Sequence, residues 1–192
     1  MTQRTGIPAQ ADDLGEPGQT SVGLRSELQG GTTLAADVSR GDIVLITIGA
    51  NDLSAARDKW NTDICDLVCS APTIDQIGDN LEMIVRDVSA LRDGRRTLIV
   101  VTDYWNVFED GDVARAGLGD AFLSWSDSLT RVANARICAS ARVAGAICVD
   151  LYAPFKGDGD ADPTSLLASD GDHPNAEGHR VIATAIADAV LP

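Results

Sequence analysis

The sequence lacks any run of about 18 apolar residues, the length that a membrane-spanning helix requires, so it predicts no membrane span. Basic residues are scarce, with 15 Lys and Arg against 29 Asp and Glu, and the formal net charge is −14. Such a charge repels the phosphates of nucleic acids and of anionic lipids, so we expect no nucleic-acid partner. Internal repeats and long linkers are also missing, and 192 residues are enough for one domain, so a single domain over 1–192 is expected.

A signal peptide is not evident, because the first fifteen residues contain one arginine and no apolar segment. The four cysteines nevertheless form two local pairs, Cys65 with Cys69 and Cys138 with Cys148, and each pair could close a small loop in an oxidising compartment. The pairs therefore suggest an extracellular protein, although the sequence does not fix its localisation. Zinc is less favoured than disulfides or buried thiols, because a C-x3-C spacing is not the usual C-x2-C and no histidine is near.

Three short apolar runs, each rich in β-branched residues, predict strands that are buried on both faces. They are DIVLITIG (42–49), RTLIVVTDY (96–104) and GAICVDLY (145–152).

Helices are predicted between and after these strands. The segment 73–94 carries apolar residues at helical spacing and ends at Gly94, a second helical stretch covers about 118–143, and a last helix covers 175–191. Alternating strands and helices indicate an α/β fold with a mostly parallel sheet, whose ligands bind at the carboxyl ends of the strands. The site is therefore expected where the strands end.

Two segments offer hydrogen-bond donors for such a site. In TIGANDLS (47–54), Asn51 follows a predicted strand, and its amide could donate to a developing oxyanion, although Gly, Asn and Asp also favour a plain turn. In LGEPGQTS (14–21), Gly18 precedes a segment that can form a helix, and its N–H could face a ligand, although a glycine after proline is also typical of a turn.

The segment SDGDHPNAEGH (169–179) holds a candidate general base. Asp170 lies three residues before His173, so its carboxylate could bind one imidazole nitrogen and leave the other facing outward. The alternative is a solvated histidine in a loop. His179 lies in the last predicted helix, and we interpret it as a surface or packing residue.

The acidic segment 156–172 begins with a D-x-D-x-D pattern that is typical of calcium loops. Pro163 occupies the position of the required glycine, and Ser169 that of the bidentate glutamate, so a solvated loop is the better interpretation. We expect no metal.

In order and context, GEPGQT, GAND and DGDHPN resemble three of the four sequence blocks of the SGNH (GDSL-like) hydrolase superfamily, and they span nearly the whole chain. The resemblance implies a flavodoxin-like three-layer α/β/α fold with a parallel sheet, and hydrolysis of esters of lipids, carbohydrates or small acyl compounds without a cofactor. It also implies roles for residues: His173 as general base, Asp170 as the group that orients it, and Gly18 and Asn51 as oxyanion donors. A Cys65–Cys69 disulfide is implied as well, as in secreted bacterial members.

The fourth block of that family, a Gly-Asp-Ser segment that follows the first strand and supplies the nucleophile, is absent before Gly18. The nucleophile is therefore unknown, and the first strand of the sheet is expected to be missing. No other serine follows a strand in the required way; those considered are Ser21, Ser26, Ser54 and Ser169.

Three interpretations stay open. The chain could be an N-terminally truncated serine esterase or lipase whose natural start lies upstream, a non-catalytic relative that binds an acyl or glycan ligand, or one that takes the missing strand from a partner chain. The segments 54–73 and 104–118, with Tyr104, Trp105 and Phe108, are expected to line the substrate pocket unless these aromatic residues belong to the core. Which ester is bound, and the oligomeric state, do not follow from the sequence.

Overall fold

The computed structural model of the protein describes residue 6, residues 8–60 and residues 66–191. The strands are β1 (Ile43–Ile46), β2 (Leu98–Thr102) and β3 (Ile147–Val149). The helices are α1 (Ser21–Gln29), α2 (Thr33–Val38), α3 (Ser54–Lys59), α4 (Leu67–Leu91), α5 (Gly111–Leu118), α6 (Asp120–Val143), α7 (Tyr152–Lys156) and α8 (Ala176–Val190), with 3₁₀ turns at Asn51–Leu53 and Thr164–Leu166.

The three strands form a parallel sheet in the order β1-β2-β3. Ile43 pairs with Leu98 and Val100 pairs with Ile147, so all three strands end at the same edge of the sheet. The predicted α/β class and parallel sheet are confirmed, and each strand lies inside the apolar run that predicted it.

One face of the sheet packs against α4 and α6. The apolar stripe that predicted α4 is buried in this core, with Leu81 and Ile84 fully inaccessible to solvent. From α6, Phe122 and Leu129 are also fully buried. The periodicity that the sequence shows in these two helices is therefore the contact surface of the larger core.

The opposite face packs against α8. Val100, Val149 and Leu151 form a second core with Phe155 and Leu167. The apolar stripe predicted for the last helix packs on this core through Val181, Ile182, Ile186 and Val190. Helices therefore lie on both faces of the sheet.

Strand β1 is the edge of the sheet in the part of the chain that the structure describes, and it is poorly covered. By the register of the sheet, Ile43 and Leu45 lie on the same face as Leu98 and Val100. Their exposed fractions are 43% and 51%. Parallel strands are normally buried on both faces, so this edge resembles the interior of a larger sheet.

The segment 54–73, predicted as an insertion, is partly helical. It contains α3 and the first turns of α4, which begins at Leu67 because the Asp66 carboxylate accepts the N–H groups of Val68 and Cys69. Cys65 lies outside the described residues, so the Cys65–Cys69 disulfide stays a prediction.

The pairing of the two later cysteines, which the sequence left open, is resolved: Cys138 of α6 and Cys148 of β3 form a disulfide. Among the helices described, none combines the length and the apolar character needed to cross a membrane.

Candidate active site

The turn before α8 holds Asp170 against His173. One carboxylate oxygen of Asp170 accepts the N–H groups of Asp172 (3.0 Å) and His173 (3.1 Å), and the other lies 2.9 Å from His173 Nδ1. An ionised carboxylate only accepts hydrogen bonds, so Nδ1 carries the proton and Nε2 is left with a free lone pair. The His173 side chain is 75% exposed, so that lone pair can reach a ligand.

These contacts shift both groups in the direction that a base needs. The backbone N–H groups of Asp172 and His173, together with the imidazole, lower the pKa of Asp170 to about 2. The hydrogen bond to Asp170 raises the pKa of His173 above its ordinary value of 6.5, against a smaller opposing effect of burial. Asp170 therefore stays ionised at neutral pH and favours a proton on the imidazole.

This pair predicts a measurable pH dependence. The reactive form of a general base is the neutral one, so activity that depends on His173 should rise with pH through a pKa above 6.5. Replacing Asp170 with Asn removes the negative charge but keeps an acceptor for Nδ1, so the pKa of His173 should fall. NMR titration of the His173 imidazole protons in the two proteins measures this. An unchanged His173 titration in Asp170→Asn would contradict the pairing.

The turn itself is fixed by backbone contacts. Ala168 N–H donates to His173 O (2.8 Å), and Asp110 N–H donates to Gly171 O (2.7 Å). Gly171 has φ +72°, and a Cβ there would lie 2.7 Å from the Cβ of Val113 in α5. A glycine is therefore required for this turn to lie against α5.

A buried ion pair lies directly behind this turn. Lys156 Nζ is 2.7 Å from Asp110 Oδ2 and 2.9 Å from Asp127 Oδ1, and Asn106 Nδ2 also donates to Asp110 Oδ2 (2.9 Å). The Tyr152 hydroxyl donates to Asp127 at 2.6 Å. Asp110 thus links the buried lysine to the carbonyl of Gly171. The sequence reasoning did not identify this network, since single charged residues in loops carry no periodic signal.

The oxyanion candidates lie at the end of β1. Gly18 has φ +76° after Pro17, and Gln19 N–H donates to Glu16 O (3.2 Å), as in a type II turn. Asn51 Nδ2 donates to Gln19 O (3.0 Å), which brings the asparagine to the residue next to Gly18. Its second N–H makes no hydrogen bond within the described chain. The two predicted donors are therefore adjacent.

Glycine at position 49 allows this approach. Gly49 has φ +124°, and a Cβ there would lie 2.9 Å from Ile77 Cγ2 of α4. The next residue, Ala50, donates its N–H to the Tyr104 hydroxyl (3.3 Å), which connects the ends of β1 and β2. The chain can therefore turn sharply from the strand to Asn51 while resting on the core.

Acidic groups surround the base. Burial raises the pKa of Asp172, the residue before His173, and the neighbouring Glu109 and Asp170 act in the same direction. Arg57 of α3 partly offsets this charge and pairs with Glu109 at 2.6 Å. The surroundings of His173 therefore favour its protonated form, which a base must adopt during the reaction.

None of the serines considered as nucleophile bonds to His173 within the described residues. Ser21 is fully buried, its hydroxyl donates to Asp52 (2.6 Å) and it accepts from Asn80, so it is not accessible. The Ser54 hydroxyl donates to the backbone oxygen of Asn51 (3.0 Å). Ser26 is exposed on α1, and Ser169 is exposed beside Asp170.

The aromatic residues expected at the pocket belong to the core. Trp105 stacks on Phe155 with ring centroids 4.7 Å apart, and Phe108 stacks on Trp125. Tyr104 is also buried, and this burial raises its pKa. These three aromatic residues therefore do not line a pocket. They belong to the core, which is the alternative that the sequence left open.

Comparison with known proteins agrees with this geometry. A family model described as the GDSL-like Lipase/Acylhydrolase family matches residues 1–181. No curated protein matches the chain.

Solved structures share the fold at low identity. A lipase from a goat rumen metagenome has a TM-score of 0.69 and 15% identity, covering 89% of this chain and 74% of its own. A GDSL-like lipase from Bacteroides thetaiotaomicron has a TM-score of 0.57 and 20% identity, with coverages of 90% and 71%. A catalytic mutant of an acetylxylan esterase from Geobacillus stearothermophilus has a TM-score of 0.60 and 19% identity, with coverages of 91% and 69%.

Proposed function

Because the chain belongs to the GDSL-like lipase/acylhydrolase family, we propose that it hydrolyses carboxylic esters through an acyl-enzyme, with His173 as general base. The observation that carries the proposal is the Asp170–His173 hydrogen bond of 2.9 Å, which leaves Nε2 of an exposed imidazole free. The likeness to lipases and an acetylxylan esterase supports the fold, and the ester itself is a lipid, glycan or small acyl ester.

Each step assigns a proton and a bond. His173 Nε2 takes the hydroxyl proton of a serine as its oxygen attacks the ester carbonyl, and Asp170 stabilises the imidazolium. The Gly18 N–H and the free N–H of Asn51 donate to the oxyanion. When the tetrahedral intermediate collapses, the bond to the alcohol breaks and His173 returns the proton to it. A water molecule then repeats the sequence on the acyl-enzyme and releases the acid.

The serine lies outside the described residues in this proposal. The edge of β1, which no other described strand pairs, supports it, because a strand that added there in parallel would cover Ile43 and Leu45 and would end on the side of Asn51. A serine directly after such a strand would face Gly18, Asn51 and His173. The strand comes from the same chain in this view; a partner chain and a non-catalytic binding protein are the alternatives.

Fluorophosphonate labelling tests the function. The 192-residue protein and a form extended at its amino end by an apolar strand and Gly-Asp-Ser are labelled, and the adduct is located by intact mass and peptide mapping. The proposal expects an adduct on the added serine only, which is lost in His173→Ala. An adduct within the 192 residues would place the nucleophile there. If the 192-residue protein and the extended form both fold and neither is labelled, the non-catalytic alternative is favoured.

Replacing Asn51 with Ala should remove one oxyanion donor. The expected loss is about 2.7–4 kcal/mol of transition-state stabilisation, or roughly 10²–10³-fold in kcat. Steady-state hydrolysis of p-nitrophenyl acetate measures it, with unmodified protein of whichever form fluorophosphonate labelling shows to be active. Ser54→Ala is the control, because it removes a neighbouring hydroxyl that only donates to the Asn51 backbone. Full turnover in Asn51→Ala would refute the role.

A further inference from the structure

A carboxylate beside Asn51 ties the two oxyanion donors together. Asp52 Oδ2 accepts the N–H of Ser21 (2.8 Å), and Asp52 Oδ1 accepts the hydroxyl of Ser21 (2.6 Å). Ser21 is the first residue of α1, three positions after Gly18. Asp52 therefore connects the end of β1 to the start of α1 by two charge-assisted hydrogen bonds.

The Ser21 end of this contact is buried, and its hydroxyl both donates and accepts a hydrogen bond. The Ser21 side chain is inaccessible to solvent, and its hydroxyl also accepts from Asn80 Nδ2 (3.0 Å) of α4, which is itself buried. Ser21 thus cannot rotate away without leaving a buried donor or acceptor unpaired. The start of α1 is consequently fixed to both Asp52 and α4.

A second, independent bond connects the same two segments. Asn51 Nδ2 donates to Gln19 O, between Gly18 and Ser21. Asp52 and Asn51 are neighbours in the chain and bond on either side of Thr20, which caps α1. Together the two bonds fix the distance between the Gly18 N–H and the Asn51 amide.

We infer that Asp52 is a positioning residue of this site: through Ser21 it holds the Gly18 turn and the Asn51 amide at one spacing, so that both can donate to one oxygen. The inference rests on the proposed function for its catalytic meaning. Asp52 touches no reacting atom in this arrangement. Its geometric part concerns this chain alone and can be measured without turnover.

Asp52→Asn is the test variant. Asparagine keeps the shape of the aspartate side chain but places an NH₂ group where Asp52 accepts from the N–H or the hydroxyl of Ser21. In ¹⁵N NMR spectra of the protein, we expect the Gly18 backbone amide and the Asn51 side-chain amide to shift together. Asp66→Asn is the matched control: Asp66 also accepts two N–H groups at the first turn of a helix, but at α4. It should leave both signals in place. Unmoved signals in a folded Asp52→Asn protein would overturn the inference.

Ser21→Ala provides a second route if Asp52→Asn fails to fold. It removes the hydroxyl bond and keeps the backbone bond, so a smaller shift of the same two signals is expected. No shift of either signal would contradict the inference.

Kinetics of an active form separate positioning from plain stabilisation. Asp52→Asn should lower kcat about 10²-fold with little change in KM, as a small misplacement of catalytic groups does. The double variant with Asn51→Ala should lose less than the product of the two single losses, because both changes disturb the same pair of oxyanion donors. Multiplied losses would overturn the inference. Absence of turnover in every form would count against the proposed function, while the NMR result would still decide on Asp52.

Discussion

Ester hydrolysis by an active form should fall about 10⁴-fold when His173 is replaced by alanine, the upper range for loss of a general base. The reason is that His173 is the proposed general base, and its imidazole is oriented by the Asp170 carboxylate at 2.9 Å. Steady-state kcat and KM with p-nitrophenyl acetate measure the loss. The chain has only two histidines, so His179→Ala, exposed on α8, is a matched control that should retain activity.

Added imidazole sharpens this test. Because the His173 side chain is 75% exposed, its removal leaves a site open to solvent that a small base can enter. Imidazole should therefore restore part of the activity of His173→Ala, and more at a pH where imidazole is neutral. Equal activity of His173→Ala and His179→Ala would show that the base lies elsewhere.

The sequence predicted those strands and helices whose apolar residues follow a clear pattern along the chain. The apolar runs around β1, β2 and β3 and the stripes of α4, α6 and α8 are each determined by burial against one sheet, so local sequence reports them. Helices α2, α5 and α7 are short, and a few residues carry too little periodicity to identify them. In α5 the available signal was the cap at Asp110, which accepts the N–H of Gly111.

The start of α4 was misplaced for a local reason. Apolar spacing predicted a helix from residue 73, whereas the observed helix also contains Pro72, which removes a backbone hydrogen bond. The helix begins six residues before residue 73, at Leu67, because the cap at Asp66 and the packing of buried Ser70 and Ile74 outweigh that loss. A capping residue upstream of a proline is a signal that sequence reasoning could have weighed.

Contacts between distant residues account for what the sequence did not reveal about the site. The Asp170–His173 pair is three residues apart, so spacing alone indicated it. In contrast, Asp52 meets Ser21 across 31 positions and Lys156 meets Asp110 across 46, and both depend on how the strands and helices pack. A carboxylate next to the expected asparagine was visible in GAND, but its partner was not.

The buried Lys156 gives the second large effect. Lys156→Met should destabilise the protein by about 3–5 kcal/mol, the range for removing one partner of a buried ion pair. Lys156 and Asp110 are 5% and 3% exposed, so the change leaves the Asp110 carboxylate without its cation and away from water. Urea unfolding followed by tryptophan fluorescence measures the free energy of unfolding. The only other lysine, Lys59, is exposed on α3, and Lys59→Met should change stability little.

A double variant distinguishes the lost charge from lost packing. If the penalty comes from the unpaired carboxylate, Lys156→Met combined with Asp110→Asn should be less destabilised than the sum of the two single variants. Additive losses would indicate packing instead.

The Lys156→Met variant should also disturb the turn that presents His173, since Asp110 N–H donates to Gly171 O. The NMR signals of the His173 imidazole should therefore shift in Lys156→Met but not in Lys59→Met. A loss of stability below about 1 kcal/mol would contradict the prediction, because it would be no larger than the contribution of a typical hydrogen bond.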